Sequence, residues 1–163
     1  KMENFGQYNS GQNTPSPARY KLKWHKFLIY FGLWAGVIIN AGTALRYIEG
    51  IAYDELSESV YTAFSSLKEL DLVWGIVLLA LAGYTVYVRF QLAGFRIGAP
   101  RKLSILYGLN LGCSLAYLVA FSLITGSSIR SIIGDMTAMS LCYILMLFIN
   151  QNYYSKRLEL FVN

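Results

Sequence analysis

Charge is what this sequence has least of. Only 14% of its 163 residues are Asp, Glu, Lys or Arg, while 55% are hydrophobic and the mean hydropathy is +0.42. A soluble domain carries about 25% charged residues, so a soluble globular fold is disfavoured, and so is a β-barrel of short alternating strands. Histidine is nearly missing too: His25 stands alone, beside Trp24 and Lys26. The two cysteines, Cys113 and Cys142, lie far apart without any C-x-x-C spacing. A zinc site and a thiol-exchange centre are therefore poorly supplied. No Ser-His-Asp set, phosphate-binding glycine loop or pair of catalytic carboxylates can be assembled, so neither catalysis nor a cofactor is expected. Proline is confined to Pro15, Pro17 and Pro100, which leaves long segments free to be unbroken helices.

Those segments are where the charge is missing. Four runs contain no charged residue at all: Phe27–Leu45 (19 residues), Leu72–Val88 (17), Leu103–Ile129 (27) and Met136–Ser155 (20). They total 83 residues, and the other 80 carry all 23 charges. A hydrocarbon core of about 30 Å takes about 20 residues of helix. The second run is short, but Arg89 can snorkel and Leu70 lies just beyond it. Gly126-Ser127-Ser128 reads as a turn closing the third helix near Thr125, so that the fourth begins near Ile129 and takes in Asp135. The expected fold is thus all-α: an integral membrane four-helix bundle with spans at about 25–46, 71–90, 103–125 and 129–152. A cleaved signal peptide is disfavoured for the first run, because it is as long as a span and more than twenty mostly polar residues precede it.

The flanking charges give a direction. Eleven basic residues (Lys1, Arg19, Lys21, Lys23, Lys26, Arg89, Arg96, Arg101, Lys102, Lys156 and Arg157) fall on one side, and three (Arg46, Lys68 and Arg130) on the other. The acids divide the opposite way, two against seven, so the sides carry +9 and −4. By the positive-inside rule both termini are expected in the cytoplasm, in a multi-pass protein of the cell membrane. The net +5 then reflects topology and attraction to anionic inner-leaflet lipids rather than nucleic-acid binding. Trp24, Arg89, Arg96, Arg101, Lys102, Lys156 and Arg157 are the expected interfacial residues on that side.

Outside the spans, residues 1–19 have the composition of a flexible cytoplasmic tail, and 20–163 form the membrane domain. Lys1 stands before Met2, so the natural chain is expected to begin upstream. Between the first two spans, Tyr53, Leu56, Val60, Phe64 and Leu67 recur every three or four residues, opposite acids and serines. This pattern predicts an amphipathic helix on the extracytoplasmic side, either a lid or a tethered cover for the end of the bundle.

Within the spans, small residues recur at intervals of four. Ser104, Gly108, Gly112, Ala116 and Ala120 form the longest ladder; Gly32 and Gly36, Gly134 and Ala138, and Gly75 with Gly83 mark the other helices. Such ladders let helices approach closely, within one bundle or between copies in a homo-oligomer or with another membrane partner. Asn40 and Asn110 are the costliest polar residues and should face protein or water. They read either as interhelical hydrogen bonds or as the lining of a solute path. Asp135 is the one acid expected at membrane depth, with the same two readings: a coupling carboxylate, or a side chain held by Arg130 and the first turn of its helix.

Three strings, WHKFLIYFGLWAG at Trp24–Gly36, VRFQLAGFR at Val88–Arg96 and NYYSKRLELFVN at Asn152–Asn163, carry a likeness. Over roughly residues 20–163 the chain resembles small uncharacterised four-helix membrane proteins of Gram-positive bacteria, many with an N-terminal zinc ribbon. The ribbon's cysteines are absent here, so zinc binding is not carried over. The likeness implies a bacterial membrane setting and no catalytic residue. Two functions are expected from all this: a non-enzymatic module that anchors or assembles a cytoplasmic domain or partner, or a small-solute transporter or channel component using Asn40, Asn110 and Asp135.

Overall fold

The computed structural model describes residues 22–127 and 129–162, and only the backbone of 129–139. The described chain is all-helical. Helix α1 spans Lys23–Ile48, a short helix α2 covers Ser57–Ala63, α3 runs Ser65–Ala93, α4 Ala99–Thr125 and α5 Ile129–Ser155. Three of these, α1, α3 and α4, are long and apolar enough to cross a membrane. α1 and α3 are longer than their charge-free runs (26 against 19 residues and 29 against 17), whereas α4 equals its run at 27, starting and ending four residues earlier.

Neighbouring long helices alternate in direction, and the charges collect at opposite ends. At the basic end, Leu28, Ile29 and Leu33 of α1 pack with Val88 and Leu92 of α3, Leu103 and Leu106 of α4, and Tyr154, Leu160 and Phe161 near the C-terminus. At the acidic end, Ala44 of α1 meets Trp74 and Leu78 of α3 and Tyr117 of α4. α1 lies on α3, α3 on α4, and α4 on α5.

The helix ends follow local chemistry. Gly98 has φ +76° and precedes Ala99-Pro100, so proline sits in the first turn of α4, where its missing N–H costs nothing. Gly126, at φ +65°, closes the same helix after Thr125. α1 carries an irregularity, a five-residue π segment over Leu28–Gly32. Here each N–H reaches one residue further back, which widens the helix.

The connection between α1 and α3 departs from the expected amphipathic helix. It is a 3-10 turn at Asp54–Leu56, then α2, and then a break at Phe64 (φ −131°, ψ +78°), after which α3 begins. Leu67 therefore belongs to α3, where it is fully buried, and Leu56 is exposed. The periodicity ran across two helices because the break costs only one residue of register.

Candidate functional site

Polar side chains at three depths tie the helices together. At the basic end, Trp24 donates from Nε1 to Asn150 Oδ1 at 3.0 Å, and Asn150 Nδ2 donates to the Met146 carbonyl at 2.7 Å. One residue along α1, His25 Nδ1 lies 2.9 Å from the Tyr154 hydroxyl. Its ring stacks on Phe95 at 4.8 Å and meets Phe161 edge-on at 6.1 Å. Phe95 reaches this position with φ +49°, a left-handed backbone that costs a bulky residue about 1 kcal/mol. Stacking on His25 and a tilted contact with Phe161 at 5.6 Å help to offset it. Four parts of the chain meet here: the start of α1, the α3–α4 connection, the end of α5 and the C-terminal segment. Trp24→Phe should remove one interhelical hydrogen bond and lower stability by about 1 kcal/mol in a denaturant titration in detergent. A neutral result would mean that the Asn150 contact does not hold α1 to α5.

Around this end the expected interfacial residues each find a position. Arg89 lies over Trp34 and Phe90 (5.4 and 4.8 Å), and Arg157 over Tyr153 at 4.0 Å. Lys102 Nζ bonds Tyr87 and Gln91 at 2.9 and 3.2 Å. Arg96, Arg101 and Lys156 are exposed. Such cation–aromatic pairs suit a headgroup layer, where an apolar stem and a wet head are both accommodated.

At the acidic end is a site that sequence reasoning missed. Asp71 is fully buried, although the sequence puts it in a charged loop. Its carboxylate accepts hydrogen bonds from Tyr117 (2.8 Å) and Tyr61 (3.0 Å), and the Tyr53 hydroxyl stands 3.4 Å from that of Tyr117. Trp74 stacks on Tyr117 at 5.0 Å, and Tyr47 meets it edge-on. Burial, then the neighbouring carboxylate, pushes the Tyr61 hydroxyl well above the usual tyrosine range; burial first does the same for Tyr53. Both therefore stay protonated as donors. The exposed Arg46 forms an ion pair with Asp54 on the rim. Tyr47, Tyr53, Tyr61 and Trp74 share their stretch of sequence with six acids, so their crowding marks the region and does not single out Asp71.

Between the two ends lies a cleft of about 370 Å³. Asn40 and Asn110 meet on it: Asn40 Nδ2 donates to Asn110 Oδ1 over a long 3.4 Å, and Asn110 donates on to the Leu106 carbonyl at 2.9 Å. Thr85 of α3 and Cys142 and Met146 of α5 complete the wall, and none of the described residues lining it is charged. The two asparagines picked out by sequence are thus brought together. The side chain of Asp135 lies outside the described residues, as do those around Gly134 and Ala138.

The small-residue ladders take a different part from the close crossings expected of them. A Cβ added at Gly36, Gly108 or Gly112 would meet nothing within 4 Å, and at Gly32 only its own helix's Leu28, at 3.3 Å. Gly36 opens onto the cleft. Ser104 bonds back to the Pro100 carbonyl, and Ala116 faces a second, shallower crevice beside Trp74 and Val77. The close crossing is at Gly75 instead, where an added Cβ would stand 2.7 Å from Ile48 Cγ1 and 3.0 Å from the Ala44 carbonyl oxygen. Interval-four spacing identifies a face of a helix, and it says nothing of which neighbour, if any, lies against it.

No family model, curated protein or solved structure matches this chain, so its function is argued from this geometry.

Proposed function

We propose that the chain is a non-enzymatic integral membrane protein: four spanning helices with both termini in the cytoplasm of a bacterial cell, anchoring or assembling a cytoplasmic domain or partner. The observation that carries this reading is the use made of the polar groups. Asn40 with Asn110, Trp24 with Asn150, His25 with Tyr154 and Asp71 with two tyrosines all join one segment to another. A bundle built to hold its helices in place suits an anchor. A solute path through Asn40, Asn110 and Asp135 has less support, since the two amides bond each other and no charged residue is among the described ones lining the cleft beside them.

The orientation is supported by the collection of Arg89, Arg96, Arg101, Lys102, Lys156 and Arg157 at one end, which favours anionic inner-leaflet lipids. The test is a reporter fused ahead of Lys1 together with a single cysteine at position 155 in a Cys113→Ser, Cys142→Ser background. The reporter should stay with the membrane after an alkaline carbonate wash, and the Ser155→Cys thiol should react only when the cytoplasmic face is opened. Labelling of that thiol in intact cells, or release of the reporter, would overturn the proposal.

A further inference from the structure

The cleft at mid-depth has features that an anchor does not need. Its floor is closed: Leu33, Thr85, Leu106 and Asn110 are each at most 5% exposed. Its mouth is open, between α1 and α5, where Ile39 and Cys142 are exposed. On α1 the lining runs from Gly32 to Asn40, which leaves roughly 12 Å of helix on either side at about 1.5 Å per residue. An opening at that depth in a membrane-spanning helix faces lipid tails and not water.

Two features suggest what fills it. Among the described residues the wall has no charged group, so a charged head drawn to this depth would find no compensating charge on them, at high cost. Yet the wall is not wholly apolar either. Among the described residues the half-buried Asn40 makes a single long hydrogen bond, through one N–H, which leaves its oxygen and second N–H available to a ligand at a depth where lipid tails offer them no partner. A phospholipid tail cannot meet that need, because its ester groups stay at the interface. An uncharged amphiphile can, because its head is able to sink.

The room is also built into the backbone. Gly32 ends the π segment at the edge of the cleft, and a Cβ at Gly36 would meet none of the described residues within 4 Å. We propose that the cleft between α1, α4 and α5 binds an uncharged amphiphile from the bilayer, an apolar chain or ring whose amide, hydroxyl or carbonyl head bonds Asn40. This goes beyond the anchoring function and holds whether or not a cytoplasmic partner exists.

The probe is dodecanamide carrying a diazirine at mid-chain, photolysed with the full chain in phosphatidylcholine vesicles. Crosslinks should concentrate on Gly32–Asn40 and Cys142–Met146, fall at least fivefold with excess unlabelled dodecanamide, and resist the same excess of dodecanoate. Gly36→Leu should cut the yield at least fivefold with an unchanged unfolding midpoint, since its Cβ has open space to enter. Asn40→Leu should weaken competition by the amide several-fold while leaving the chain folded. Crosslinks spread evenly over the lipid-facing surface, equal competition by dodecanoate, or full yield from Gly36→Leu would each overturn the proposal.

Discussion

Asp71→Ala should lower the stability of the folded chain by about 3 kcal/mol, read as a shift of the unfolding midpoint in detergent. The carboxylate is fully buried and takes two tyrosine hydroxyls, at 2.8 and 3.0 Å. Hydrogen bonds to a charged group contribute about 1.5–3 kcal/mol each, and the orphaned hydroxyls would also lose their partner. Asp71→Asn keeps an oxygen to accept one tyrosine, so about half the loss should return. Tyr61→Phe should cost less than Tyr117→Phe, because Tyr117 is buried and its hydroxyl pairs with that of Tyr53 as well as with Asp71. The two tyrosine changes should combine to less than their sum, as expected of donors sharing one acceptor. If Asp71→Ala unfolds at the parent midpoint, the carboxylate does not hold α2 and α4 to α3.

Gly75→Val should be about as damaging, by a different cause. A Cβ there would overlap Ile48 and stand 3.0 Å from the Ala44 carbonyl oxygen. Ile48 is a side chain and can turn aside, but the carbonyl belongs to the α1 backbone. The helices must therefore separate, at about 3 kcal/mol for a β-branched intruder and about 1 kcal/mol for alanine. Gly108→Ala, with nothing within 4 Å, supplies the control and should be neutral or slightly stabilising through its better helix propensity. Equal midpoints for Gly75→Val and Gly108→Ala would show that α1 and α3 do not cross closely at that point.

The contrast between these glycines shows what was legible in the sequence. The long helices could be read from missing charge alone, since a charge-free run of about twenty residues has few other uses. The end of α4 was legible as well, because Gly126 supplies a backbone angle that other residues disfavour. Asn40 and Asn110 stood out because a buried amide must find a partner, and each is the other's. Packing was less legible. Gly108 and Gly112 have the same spacing as the crossing motif, yet only a neighbouring helix makes such a glycine necessary, and spacing carries no information about neighbours.

Asp71 was hidden for a related reason. Charge counting treats every carboxylate as a surface group, and Lys68 and Glu69 beside it are indeed exposed. The amphipathic pattern from Tyr53 to Leu67 concealed the break at Phe64 for the opposite reason: two short helices in sequence can keep the period of one. Both errors arise where the chain leaves one helix and starts another, since there the partner of each side chain is decided by a turn.

The contacts at the basic end also bear on when the fold can be completed. Trp24 and Asn150 are separated by 126 positions, and His25 and Tyr154 by 129. These are among the first and last described residues to leave a ribosome. Contacts this distant along a chain form late, so the start of α1 waits through the synthesis of α3 and α4 without its α5 partners, although His25 can already meet Phe95. A chain stopped before α5 would leave Trp24 Nε1 and His25 Nδ1 without those partners. Joining of these two segments is thus the step of assembly that waits for α5.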